Sequence, residues 1–239
     1  MRRIGLICAG EQELAPFLAR MERERTEERA MLTVHLGTLG RAPAAAVCSG
    51  VCKVNAAIAA QTLIDEAGAE VILSAGTAGG ISPEAELFDT VVAQRAAYHD
   101  VAEEILTQLH PHLPSAWLPG DGALLDLARR YSQGAKHPIR FGGIVTGERF
   151  VTGERRTRLY QKFGALAADM ETAAIAHVCF VRRVPFLSVR TISDTLEADG
   201  AESFAANCAR ASEIAAEVVS DLAELFSGAA GQPARRTGR

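Results

Sequence analysis

What most limits the fold of this chain is a set of short runs that stay apolar on both sides of the backbone. Ile4–Ala9 is the clearest and is continuous; Val71–Ala75, broken by Ser74, and Val184–Val189, punctuated by Pro185 and Ser188, also read as buried strands. A strand with one wet face alternates polar and apolar residues, whereas a strand covered on both faces reads as a continuous apolar run. Such strands need helices above and below them. Helical segments do lie between: one opening at Glu11 and read as far as LAPFLARMERER, then Val51–Ala67, residues 121–134, Leu159–Phe163, the run after Asp169, and Ser203–Phe226. The pattern predicts an α/β fold, a mixed or mainly parallel sheet with helices on both faces. Met31–Gly50 reads as a hairpin turning at Gly40-Arg41, and Thr90–Ala97 and Phe141–Thr146 as further strands. Residues 101–120 hold Pro111, Pro114, Pro119 and Trp117, and read as an excursion over the surface or across a subunit interface. Residues 1–226 form one domain in this reading, and Ser227–Arg239 a disordered tail.

Several strands end in polar or glycine-rich residues. These are Gly10 to Glu13, Gly76-Thr77-Ala78-Gly79-Gly80, Gly147 to Thr152, and Arg190 to Asp194. Ligands of open α/β sheets bind beyond the carboxyl ends of strands, so parallel strands would bring all four to one edge. The glycine stretch is neither GxGxxG nor a P-loop; it predicts a tight turn or a close approach of backbone to a ligand. Ser193 or Asp194 would serve equally as the N-cap of a following helix, and Glu11 as a dipole partner in a first helical turn. The converging polar set is Glu13, Glu171, Arg190, Ser193 and Asp194, beside apolar Val51, Phe150 and Met170. Carboxylates, one arginine and an aromatic wall suit a neutral, flat-ringed ligand bearing hydroxyls, such as a nucleoside.

Composition narrows the partners. Lys and Arg number 25 against 29 Asp and Glu, a net charge of −4, and no basic cluster interleaves with aromatics. Neither nucleic acid nor an anionic membrane is expected. The five cysteines are odd in number and form no CxxC pair, which fits a reduced cytoplasmic compartment. Cys48 and Cys52 lack further ligands at zinc-site spacing, and His110-Pro111-His112 reads as a solvated loop, so no metal is expected. The apolar run after Arg2-Arg3 is too short for a signal peptide, and no run approaches membrane-spanning length.

Taken together, IGLICAGEQEL (4–14), SGVCKVNAA (49–57), SAGTAGG (74–80), YHD (98–100), VTGERFVTG (145–153), DMETAAIAHVC (169–179) and VPFLSVRTISD (184–194) resemble the purine nucleoside phosphorylase and nucleosidase superfamily. Within it the likeness is greatest to the 5′-methylthioadenosine/S-adenosylhomocysteine nucleosidases. The resemblance implies a three-layer α/β/α sandwich with a mixed central sheet, nucleoside phosphorylase-like, working as a homodimer without a cofactor. It implies that Glu13 activates the attacking water and Asp194 protonates the departing purine. By the same resemblance Glu171 holds the ribose hydroxyls, and Arg190 and Ser193 orient those groups. Phe150 stacks on the base, Val151 reads its edge through the backbone, Met170 and Val51 touch the sugar, and Thr77, Ala78 and Gly79 lie near base and sugar. Asp169 stands where the family usually has glutamate, and the shorter acid is expected to loosen what that position anchors, with Arg190 the candidate.

Cleavage of an N-ribosidic bond builds positive charge on the sugar and negative charge on the base. It therefore needs one acid at the base and one general base near the anomeric carbon. Phosphorolysis would need cations beside the anomeric face, and neither Gly10–Glu13 nor Leu73–Gly76 supplies one. Hydrolysis of another adenine nucleoside conjugate, such as a futalosine-type compound, is a second reading, and a catalytically silent nucleoside-binding protein a third. The family's aromatic- and glycine-rich segment after YHD is absent here, so Trp117 or Leu113 is expected to line a different pocket for the 5′ substituent.

Overall fold

The computed structural model describes residues 2–198 and 200–229. The chain runs β1 (Ile4–Cys8), α1 (Glu11–Arg20), β2 (Met21–Arg29), β3 (Leu32–Leu39), β4 (Ala42–Cys48), α2 (Lys53–Asp65), β5 (Val71–Gly80), β6 (Thr90–Tyr98), α3 (Glu103–Gln108), β7 (Trp117–Pro119), α4 (Gly122–Ser132), β8 (Ile139–Thr146), α5 (Glu154–Phe163), β9 (Ala167–Asp169), α6 (Thr172–Arg182), β10 (Phe186–Asp194) and α7 (Ala201–Ala229).

β1 lies between β4 and β5 and parallel to both, with all five of its residues buried. Ile4, Leu6 and Cys8 enter one core with Leu14 and Phe17 of α1, Leu124 of α4 and Val219 of α7. Ile7 enters the opposite core with Ala59 and Leu63 of α2 and Ile175 of α6. Helices α1, α4 and α7 thus cover one face of the sheet and α2 and α6 the other, giving the three layers that a two-faced apolar strand demands.

The sheet is mixed. β10 is parallel to β5 but antiparallel to β6, which runs parallel to β8; β9 joins β8 in parallel and β5 in antiparallel fashion. The strands β5, β10, β6, β8 and β9 therefore close on themselves. This corrects one premise of the sequence reading: β8 runs against β10, so the segment after β8 does not share the carboxyl edge of β5 and β10 by parallel alignment. It reaches the same place because the ring closes through β9.

Other segments also differ from expectation. The MERER stretch is not helical; it begins an edge strand paired antiparallel to β3. Alternation of like residues puts Arg25, Glu27 and Arg29 on one face, where Glu27 bonds both arginines. Such a charged edge discourages pairing with another chain. The glycine-rich stretch and Arg190–Asp194 are not turns but the continuations of β5 and β10, paired to each other, so neither Ser193 nor Asp194 is a helix cap. α7 continues through Ala229, with Ser227 buried and bonded to the Ala223 carbonyl at 2.9 Å. The first residues of the expected tail are therefore helical, and residues 230–239 lie outside the described residues. Trp117 is on β7, its ring edge-on to Phe163 and stacked by Arg95, and Leu113 is buried in the core. Neither lines the cavity described next.

Candidate active site

A cavity of about 390 Å³ opens where the carboxyl ends of β1, β5 and β10 meet the segments after β4, β8 and β9. That volume is in the range of small-molecule sites. Of the residues singled out from sequence, Glu13, Val51, Thr77, Ala78, Gly79, Phe150, Val151, Asp169, Met170, Glu171, Ser193 and Asp194 all line it. Arg190 does not; it lies beneath the floor and is buried.

Glu13 stands in the first turn of α1. Its Oε2 accepts from the amides of Ala9 and Gly10 at 2.9 and 3.1 Å, and its Oε1 from the amide and hydroxyl of Thr77 at 2.7 and 2.8 Å. Four donors on one buried carboxyl make a fixed acceptor. The approach is possible because position 76 has no side chain: a Cβ on Gly76, at φ +149°, would fall 2.5 Å from Glu13 Oε1.

Three carboxylates surround Arg190. Its Nε lies 3.2 Å from Asp169 Oδ2, its Nη2 is 3.6 Å from Glu171 Oε2, and the Cβ that Gly76 lacks would lie between its Nη1 and Glu13. Nη2 also donates to Ser74 Oγ at 3.0 Å. Asp169 binds more than Arg190. It accepts from Thr146 Oγ1 at 2.6 Å, from the Thr172 amide at 3.2 Å and from the Thr172 hydroxyl, so it fixes both the end of β8 and the first turn of α6. Glu171 accepts from the Cys52 amide at 2.9 Å. Its carboxyl is pushed up from 4.5 to about 7, first because it is buried and then because Asp169 is near, against the opposing pull of Arg190.

At the other end of the cavity the pairing of β10 with β5 shifts register between Ile192 and Asp194. Neighbouring strand residues normally face opposite sides; the irregularity lets Ser193 and Asp194 both face the cavity. Ser193 Oγ lies 2.7 Å from Asp194 Oδ1, and Arg156 of α5 forms a fully buried ion pair with Asp194 Oδ2.

The walls are largely apolar. Phe150 is half exposed and meets the Phe204 ring edge-on at 5.9 Å, with Val151 below it. Val51 stands at the rim. Sequence reasoning missed Arg156 and Phe204. Nothing local marks either: Arg156 sits in a charged run, GERRTR, and Phe204 in an alanine-rich helix, where it is one apolar residue among many. Among the described residues, no group of three or more His, Cys, Asp and Glu is arranged to hold a metal ion.

The fold and this cavity define a class. The chain belongs to the phosphorylase superfamily, whose model matches residues 3–224. It is 30% identical over 226 residues to the 5′-methylthioadenosine/S-adenosylhomocysteine nucleosidase of Mycobacterium bovis, an alignment covering 84% of this chain and 89% of that one. Among solved structures it resembles the 5′-methylthioadenosine/S-adenosylhomocysteine nucleosidase of Neisseria meningitidis in complex with methylthio-immucillin-A (TM-score 0.86, 29% identity, 94% of this chain and 100% of that one). It also resembles the futalosine hydrolase of Helicobacter pylori strain 26695 (TM-score 0.85, 25% identity, 94% and 98%).

Proposed function

We propose that the chain hydrolyses the N-ribosidic bond of 5′-methylthioadenosine and S-adenosylhomocysteine, releasing adenine. The observation that carries this reading is the pair of buried carboxyls at opposite ends of one cavity, Glu13 among four donors and Asp194 beside a hydroxyl and a guanidinium.

Asp194 gives its proton to N7 of the purine as the C1′–N9 bond breaks and its electron pair passes to the base. Water attacks C1′ and yields a proton to Glu13, so the products are adenine and the free 5′-substituted ribose. Solvent returns the two carboxyls to their starting states. Glu171 accepts hydrogen bonds from the ribose hydroxyls, and its charge favours the cationic sugar of the transition state. Asp169 and Arg190 hold Glu171 in place. Phe150, Val151 and Phe204 hold the base, and Met170 and Val51 the sugar.

Electrostatics favour water over phosphate. Arg149 and Arg156 are the basic residues lining the cavity among the described residues, and both belong to the segment that carries Phe150. Arg190, beneath the other end, already faces Asp169 and Glu171. A phosphate there would meet carboxylates. The likeness to a futalosine hydrolase keeps a nucleoside with another 5′ substituent as the second reading.

The protein is proposed to act in methionine salvage in the cytoplasm, as a homodimer. No described helix is long and apolar enough to cross a membrane. Val54 and Ile58 of α2 and Val181 of α6 are exposed around an open groove between those helices, a face suited to a second copy. Light scattering at twice 25.4 kDa supports the dimer, and a monomer mass contradicts it. Asp194→Asn tests the chemistry: turnover of 5′-methylthioadenosine is lost, and near-normal turnover contradicts the assignment.

A further inference from the structure

Arg156 is completely buried in the first turn of α5, three residues beyond Gly153 and six beyond Phe150. Its Nη2 pairs with Asp194 Oδ2, while Nη1 donates to the Gly80 carbonyl at 2.8 Å and lies 3.4 Å from the Asp194 carbonyl. The guanidinium lies across β5 at Gly79, where a Cβ would come within 2.9 Å of Nη1 and 3.0 Å of Asp194 Oδ2. One side chain thus ties the segment carrying Phe150 and Val151 to the ends of β5 and β10.

The two oxygens of Asp194 have unlike partners. A guanidinium has donors only and keeps its charge, so the oxygen facing it is always an acceptor. Oδ1 faces the Ser193 hydroxyl, which can donate or accept and which also reaches the Ala78 carbonyl at 3.4 Å. When Oδ1 bears a proton, that hydroxyl can turn to Ala78.

We infer that Arg156 is a positioning residue for the acid: it keeps Oδ2 of Asp194 as an acceptor, so that Oδ1 carries and delivers the proton to the departing base. The inference rests on the reading of Asp194 given above. As the Oδ1–H bond breaks and N7–H forms, Asp194 becomes a carboxylate, and the adjacent guanidinium stabilises that charge without rearranging.

The test compares two leaving groups on the same sugar, in the full chain. 5′-Methylthioadenosine needs a proton on its base, whereas the corresponding p-nitrophenyl 5-methylthioriboside expels a stable nitrophenolate without one. Arg156→Met is expected to lower kcat for the adenine nucleoside about 10- to 100-fold, up to the lower bound of a full general-acid contribution, since Asp194 itself remains. Turnover of the nitrophenyl riboside stays close to that of the unmodified protein, which also reports an intact site. Arg156→Lys, which keeps a charged donor, recovers part of the loss. Equal losses on both substrates, or none on either, overturn the role of Arg156. Asp194→Asn, run alongside, separates the two ideas. If it fails to affect the adenine nucleoside selectively, the acid assignment itself is wrong; if it does and Arg156→Met does not, only the positioning role is.

Discussion

Oε1 of Glu13 accepts both the amide and the hydroxyl of Thr77, at 2.7 and 2.8 Å, joining α1 to the far end of β5. With the two amides on Oε2, four donors hold the carboxyl in place. Glu13→Gln would turn an amide nitrogen toward one of those donors. It is expected to abolish turnover and also to cost about 1–3 kcal/mol of stability, the penalty of a buried unsatisfied donor. Thr77→Ala removes one of the four donors, leaves the other three in place and introduces no unsatisfied group, so it should cost less. Chemical denaturation of the two variants checks the order; a Gln variant as stable as the unmodified protein contradicts the geometry.

Glu171 sets a pH dependence. Its carboxyl is raised from 4.5 to about 7 in the folded chain, so between those values the folded state binds a proton that the unfolded state has lost. Stability from this group is therefore highest below pH 4.5 and falls as pH rises through about 7. Nucleoside binding runs the other way, because ribose hydroxyls donate to the ionised form. KM for 5′-methylthioadenosine should fall as pH rises through about 7, and Glu171→Gln should flatten that dependence. A KM in the unmodified protein that does not change across neutrality contradicts it.

Trp117 packs on Phe163 and under Arg95, away from the cavity. Trp117→Ala should lower stability by about 3 kcal/mol, at the low end for losing a large aromatic, and leave the preference among 5′ substituents unchanged. Thermal melts and competition between two substrates check both halves. A changed preference would return the 101–120 segment to the site.

Much of the fold is legible because it depends on local pattern. Ile4–Cys8 is apolar on both faces, and Val71–Ala75 and Phe186–Val189 are interrupted only by Ser74 and Ser188, a pattern that a covered strand produces. What escaped reading depends on distant partners. SAGTAGG and RTISD look like turns alone, yet each is held extended by the other across the β5–β10 pairing. Residues 21–29 carry good helix formers, and only their alternation of charge, with β3 alongside, makes them a strand. β9 is three residues long and has no period to detect. The site residues read from sequence converge around one cavity, with Arg190 beneath it. Arg156 reaches Asp194 from a separate helix, a contact no spacing in the sequence encodes.

The most direct measurement follows purified protein acting on 5′-methylthioadenosine in matched buffers with and without phosphate, with products separated by chromatography. Equal release of adenine in both, together with free methylthioribose, is the predicted result. Adenine formed only with phosphate, accompanied by a sugar 1-phosphate, would contradict the role proposed for Glu13 and the hydrolytic reading built on it.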